Sequence, residues 1–221
     1  MPHPFDPNLT LVVWLRHARH ENQIVPESAY AELAYEGMML ERLGIKIDVV
    51  FGSPLPRAVR SALMLTAGNN SVAKIYTHNA LGDFTTNPGL GPLVPMIKAA
   101  AAAEGAEAEA FALQMNNVNV RERILEIGRL AAKQVEIAKA TLAGPGGVLL
   151  VPGHSPALEL AIMSMRGRKF LGEDTDSNIP ITPPFMMERG SVAVTIFSYG
   201  SYVDTQYLGI VDDNTTWPPA P

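Results

Sequence analysis

The chain has 221 residues, is 47% hydrophobic, carries a formal net charge of -5 and contains no cysteine. That length suits one domain with a substantial core, and the acidic balance gives no general attraction for nucleic acid or an anionic membrane, so neither is expected as a partner. The missing cysteine excludes disulfides, zinc-thiolate sites and a thiolate nucleophile.

Met1 to Thr10 is rich in proline and reads as a tether. It has neither a basic nor an apolar region of the signal-peptide kind, and no apolar run in the chain is long enough to span a bilayer, so a cytoplasmic protein is expected. Leu11 to Leu15 is a continuous apolar run of the kind that suits a strand buried on both faces, and it ends abruptly in Arg16-His17. His17 to Ser28 is polar, is interrupted by Pro26 and reads as loop. Tyr30, Leu33, Gly37 and Leu40 then recur at helical spacing, with Gly44 as the C-terminal stop. Asp48 to Phe51 is a second short strand, running into Gly52-Ser53-Pro54. Pro56 fits the first position of a helix, which puts Arg57 in its first turn and Gly68 at its end.

Lys74 to Thr77 is a weak strand, followed by the segment Asn79 to Phe84 and a loop rich in glycine and proline. The alanine-rich run Met96 to Met115 predicts a helix broken at Gly105. Val120 to Leu142 is the clearest helix, with Ile124, Ile127, Ala131, Val135, Ala138 and Leu142 on one face. Gly144 to Gly147 stops it. That glycine cluster precedes a strand and does not follow one, so it is a connection and not a phosphate loop. Val148 to Val151 is the third apolar strand and leads into Pro152-Gly153-His154-Ser155-Pro156. Ser155 is expected to cap the next helix, with Glu159 as a favourable charge in its first turn and Gly167 at its end. Gly172 to Met187 has no period and reads as a long loop. Asp174 to Asn178 within it imitates the start of a calcium loop, but Ile179 stands where a glycine is required and no glutamate closes the pattern. Ser191 to Phe197 and Tyr202 to Leu208 predict a hairpin turning at Gly200, and Trp217 to Pro219 a tail.

This alternation predicts an α/β fold: a three-layer αβα sandwich whose central sheet is mostly parallel with an antiparallel edge strand. Three strand ends then deliver Arg16, His17, Arg57 and His154 to one rim, the place where open α/β sheets put their ligands. Two guanidiniums and two imidazoles make that rim an anion site, suited to phosphate in particular. A histidine attacks phosphorus only through an unprotonated ring nitrogen, which an imidazole of ordinary pKa, about 6.5, offers at neutral pH. The other nitrogen must then be held as a donor, most simply by a backbone carbonyl. Cations must grip the phosphoryl oxygens, each charge-assisted bond being worth roughly 1.5–3 kcal/mol.

The segments LRHARH, SPLPRAVRSA and VPGHSPALEL resemble, in the same order, the three signatures of the histidine phosphatase superfamily, the phosphoglycerate-mutase-like proteins. The third is closest in wording to the SixA-type phosphohistidine phosphatases. The resemblance runs from Leu11 to Leu208 and leaves Thr85 to Gly146 unmatched. It implies a single domain over residues 1–221, with a helical insert at about residues 85–146 that covers the site. It also implies His17 as the nucleophile that becomes a phosphohistidine, and Arg16, Arg57 and His154 as ligands of the phosphoryl oxygens. No cofactor is implied. The implied substrate is a phosphorylated small molecule or a phosphohistidine protein.

Leu81-Gly82-Asp83-Phe84 resembles the segment that carries the general acid in many members, with aspartate where glutamate is usual, which makes Asp83 the candidate ahead of Glu21 and Glu159. Arg19 is a candidate for a second anionic group on the substrate. Ala18 replaces the usual glycine after Arg-His, a change that SixA-type members share. Arg19, His20 and Gln23 depart from the mutase pattern, so a phosphatase is favoured over a phosphoglycerate-type mutase or a catalytically silent phosphate-binding module. A metal site on His17, His20 and His154 is disfavoured by Arg16 and Arg19 beside it.

Overall fold

The computed structural model describes residues 8–18, 24–82, 118–155, 157–165, 187 and 189–215. Six strands form one sheet: β1 (Leu9–Arg16), β2 (Val49–Gly52), β3 (Lys74–Thr77), β4 (Val148–Gly153), β5 (Val192–Ser198) and β6 (Ser201–Gly209). Their spatial order is β3-β2-β4-β1-β5-β6. The first four are mutually parallel, while β5 runs antiparallel to β1 and β6 antiparallel to β5. The sheet is therefore mostly parallel, as expected, and its antiparallel part is a whole hairpin. That hairpin turns through Tyr199 (φ 49°) and Gly200 (φ 80°), with Ser198 paired to Ser201. Two central residues at positive φ make the tight turn whose twist matches the flanking strands.

β1 shows why the chain makes three layers. Leu11, Val13 and Leu15 join α1 (Glu27–Arg42) and α2 (Pro56–Gly68) in one core, built with Leu33, Leu40, Ala62 and Leu65. Val12 and Trp14 point the other way, against α3 (Val118–Ala138) and α4 (Ala157–Met165), where they meet Ala131, Val135, Leu158 and Ile162. None of the five residues Leu11 to Leu15 is more than 3% exposed. Burying each large apolar side chain is worth about 1.5–3 kcal/mol, so the continuous run can be satisfied only by helices on both faces.

The helix ends follow local rules, with one difference from the sequence reading. α1 starts at Glu27 and not near Tyr30. Pro26 sits in extended conformation at the N-cap, and its carbonyl accepts from the N–H groups of Ala29 and Tyr30, so the proline begins the helix where it was expected only to interrupt a loop. At the other end Gly44 takes φ 84°, and Ile45 and Gly44 donate to the carbonyls of Leu40 and Glu41, the paired bonds of a glycine-terminated helix. α2 begins at Pro56 and ends at Gly68, as read from the sequence. α3 passes into one π turn over Lys139–Ala143 before Gly144, where the Gly144 N–H reaches back to the Lys139 carbonyl. The expected helix Met96 to Met115 and the expected loop Gly172 to Met187, apart from Met187, lie outside the described residues. No helix among the described residues is long and apolar enough to cross a membrane.

Candidate active site

The topology places the switch point of the sheet between β1 and β4. These neighbours are parallel, yet the helix after β1 covers one face of the sheet and the helix after β4 covers the other. The connections diverge at their carboxyl ends, which is the usual ligand position in such sheets. The register decides what stands in it. Arg16 is paired with Gly153, so the next residues, His17 and His154, leave adjacent strands side by side. Their ring centroids are 4.6 Å apart at an interplanar angle of 50°, close to the spacing of the strands that carry them. Both rings are buried, at 5% and 2% exposure.

β2 brings the third part. Gly52 lies against the end of β4 so closely that a Cβ there would stand 2.3 Å from the Pro152 carbonyl oxygen, and the Ser53 N–H donates to that same oxygen at 2.9 Å. The approach sets Ser53 beside His154 and starts α2 at the rim. Arg57, in the first turn of α2, is buried and donates from Nη2 to His154 Nδ1 at 3.2 Å. A guanidinium can only donate, so that ring nitrogen holds the lone pair. The hydrogen of the neutral His154 ring is then on Nε2, 2.9 Å from Ser53 Oγ, which also accepts from the Leu55 N–H.

His17 is fixed differently. Its N–H donates to the Gly153 carbonyl at 3.1 Å, and its Nδ1 donates to the carbonyl of Ala18 at 2.7 Å. A carbonyl can only accept, so Nδ1 carries the hydrogen and the lone pair of the neutral ring is on Nε2. The Ala18 peptide is itself held. Its N–H donates to Ser61 Oγ at 3.0 Å, and that hydroxyl donates to the Arg57 carbonyl at 2.8 Å. Ser61 is fully buried and sits four residues after Arg57 on the same face of α2. Ser53 and Ser61 were assigned no role in the sequence reading. The i,i+4 relation of Ser61 to Arg57 inside SPLPRAVRSA was the available signal.

Arg16 donates from Nη1 to the Met187 carbonyl, and its own carbonyl accepts from Gly190 at 3.0 Å. Glu159 adds burial to its sequence reading. It stands in the first turn of α4 as expected, but it is 3% exposed and bonded to Ser155 Oγ and the Met187 N–H. Ser155 therefore spends its hydroxyl on Glu159, while the first turn of the helix is met by the His154 carbonyl accepting from Leu158. His78 accepts from the Ala80 N–H and caps the short 3₁₀ turn Asn79–Leu81. That turn brings the chain to the same rim, where the Leu81 carbonyl oxygen lies 3.4 Å from the position of a Cβ on Gly153. Asp83, Arg19, His20 and Glu21 lie outside the described residues. The rim thus gathers His17, His154 and Arg57 in contact, with Arg16 adjoining His17 in the chain. Among the described residues no three acidic or histidine side chains are grouped as metal ligands.

No protein-family profile and no curated protein matches this sequence. Solved structures do match by shape. YhfR of Bacillus stearothermophilus superposes with a TM-score of 0.50 at 18% identity, over 88% of this chain and 94% of that one. A phosphoserine phosphatase of Entamoeba histolytica in complex with 3-phosphoglyceric acid gives 0.52 at 12% identity, over 93% and 98%. Mycobacterial hydrolase 1 gives 0.53 at 12% identity, over 90% and 95%. With its layers, its sheet order and its three strand-end motifs, this chain has the fold of the histidine phosphatase superfamily.

Proposed function

We propose that the protein is a phosphatase that hydrolyses a phosphate monoester or a protein phosphohistidine through a phosphohistidine on His17. The observation that carries this reading is the hydrogen bond from His17 Nδ1 to the Ala18 carbonyl, which leaves the lone pair on Nε2 of a buried ring beside Arg57 and His154. In the first half-reaction Nε2 attacks phosphorus, the bond from phosphorus to the leaving oxygen breaks, and its electron pair departs with that oxygen. Arg16, Arg57 and His154 are assigned to the phosphoryl oxygens, whose charge they offset as it is redistributed. Asp83 is assigned to protonate the leaving oxygen. In the second half-reaction water attacks phosphorus, the N–P bond breaks, and orthophosphate is released with His17 restored. Arg19 is assigned to a second anionic group on the substrate, and no cofactor is required by the scheme.

The experiment is a phosphate-release assay over a panel of phosphate esters and a phosphohistidine protein, with rapid acid-free quenching of labelled substrate. The expected result is turnover together with an acid-labile, alkali-stable phosphate on the wild type that His17→Ala cannot form. Turnover by His17→Ala at the wild-type rate would overturn the mechanism. The acid is tested with two esters. Asp83→Asn is expected to slow an alkyl phosphate about 10²–10⁴-fold and a nitrophenyl phosphate much less, because nitrophenolate leaves without a proton.

A further inference from the structure

Glu159 is a buried carboxyl that the proposed reaction does not use. Its exposure is 3%, and its Oε2 meets no hydrogen-bond donor among the described residues. Its hydrogen bonds pass through Oε1. That oxygen accepts from the Met187 N–H at 2.9 Å and from Ser155 Oγ at 2.5 Å. The other side of the Met187 residue faces the site, because its carbonyl accepts from Arg16 Nη1. One residue of main chain thus lies between a buried acid and a phosphoryl-binding arginine, with a hydrogen bond on each side. Burial pushes the Glu159 carboxyl up from the usual carboxylate range, while its hydrogen bonds and the charge of Arg16 pull it partly back, which places the guanidinium within electrostatic reach of the acid.

We propose that Glu159 is a positioning residue for Arg16: it fixes the Met187 main chain, whose carbonyl in turn fixes the plane of the guanidinium toward the phosphoryl group. This rests on the phosphatase reading above and adds a part to it. The need is physical. An arginine side chain has many rotamers, and it recognises phosphate through a planar fork of N–H groups. One N–H spent on an immobile carbonyl orients the whole fork. A carbonyl on an untethered segment would not do so, and here the tether is the N–H of the same residue, held by an acid anchored in α4. α4 begins three residues after His154, whose carbonyl accepts from Leu158, so the same helix start adjoins His154 and carries the tether of Arg16.

The test is a double-mutant cycle on vanadate binding, read by calorimetry and independent of turnover. Glu159→Met keeps the length of the side chain and removes the acceptor. Its vanadate Kd is expected to rise about tenfold in the wild-type background and less than twofold in an Arg16→Ala background, because the effect passes through Arg16. Glu159→Gln keeps an acceptor oxygen and is expected to bind within about threefold of wild type. Equal losses from Glu159→Met in both backgrounds would mean a general packing role and overturn the proposal, as would Glu159→Gln binding as weakly as Glu159→Met. If Glu159→Met does not fold, Met187→Pro, which deletes the N–H that Glu159 accepts, takes its place in the cycle. A wild type that binds no vanadate and releases no phosphate overturns the phosphatase reading instead.

Discussion

The rim after β1 and the rim after β4 each present a buried histidine, one register step past a paired Arg16 and Gly153. They are held in opposite senses. His17 donates from Nδ1 to the adjacent Ala18 carbonyl. His154 accepts at Nδ1 from Arg57 and donates from Nε2 to Ser53. Hydrogen-bond polarity therefore sets the two tautomers apart: the lone pair lies on Nε2 in one ring and on Nδ1 in the other. The first ring holds its lone pair on the distal nitrogen, and the second presents a distal N–H. Two identical side chains 4.6 Å apart receive opposite tautomers from the groups behind them, an acceptor nitrogen outward in one and a donor in the other.

The most severe test of this difference removes each ring in turn. His17→Ala is expected to abolish turnover and the phosphoenzyme together. His154→Ala is expected to lower kcat about 10²–10³-fold, the usual loss when one donor to a developing charge is deleted, while a phosphoenzyme still forms slowly. A phosphoenzyme retained in His17→Ala and lost in His154→Ala would reverse the two roles.

Next in size is Arg57→Lys. Lysine keeps the charge but loses the fork, so the contact at His154 Nδ1 and the bidentate grip of a phosphoryl group cannot both be made. We expect kcat/KM to fall about 10²-fold. Nitrogen-15 shifts should show His154 redistributed between tautomers and His17 unchanged. Movement of the His17 signals by a similar amount would show that the two rings are not set independently.

Ser61 sharpens the other side. Ser61→Ala leaves the buried Ala18 N–H without its acceptor, which costs about 1–3 kcal/mol. The peptide whose carbonyl holds His17 Nδ1 then loses its second anchor. We expect kcat to fall about tenfold, the Nδ1–H tautomer of His17 to lose population in the nitrogen-15 spectrum, and Ser61→Thr to restore most of both. Ser61→Ala with unchanged His17 shifts would mean that β1 alone fixes the peptide.

How far these arrangements could be read from the sequence depended on how local their causes are. The run Leu11 to Leu15 dictates helices on both faces whatever follows it, and Pro56 and Gly68 bound α2 by backbone rules alone. Arg16, His17, Arg57 and His154 were legible because each stands just past an apolar run. Tautomers and tethers were not. Ser53 meets His154 across 101 positions and Ser61 meets Ala18 across 43, and no period in the sequence encodes the register that brings them together. The burial of Glu159 was illegible for the same reason. At a helix start an acid is ordinarily a solvated partner of the dipole, and no local pattern shows that Met187, 28 positions away, donates to this one.

The smallest expected effect, at Ser53, has the most informative sign. Both nitrogens of His154 are engaged by the protein, Nδ1 by Arg57 and Nε2 by Ser53. A phosphoryl oxygen recruiting the Nε2–H must therefore draw it from the serine hydroxyl. Ser53→Ala removes that competitor, so vanadate should bind within about threefold of wild type and more tightly rather than less. The same change should lower stability by about 0.5–1.5 kcal/mol, since the bonds from His154 and from the Leu55 N–H are both lost. Affinity and stability then move in opposite directions. In Ser61→Ala activity and stability fall together, because Ser61 supports the ring to which the proposed attack is assigned. A tenfold weaker vanadate complex in Ser53→Ala would mean that His154 works from the pose it already holds, with Ser53 as its anchor. The contrast between a ring set for attack and a ring that must let go of a partner would then have to be given up.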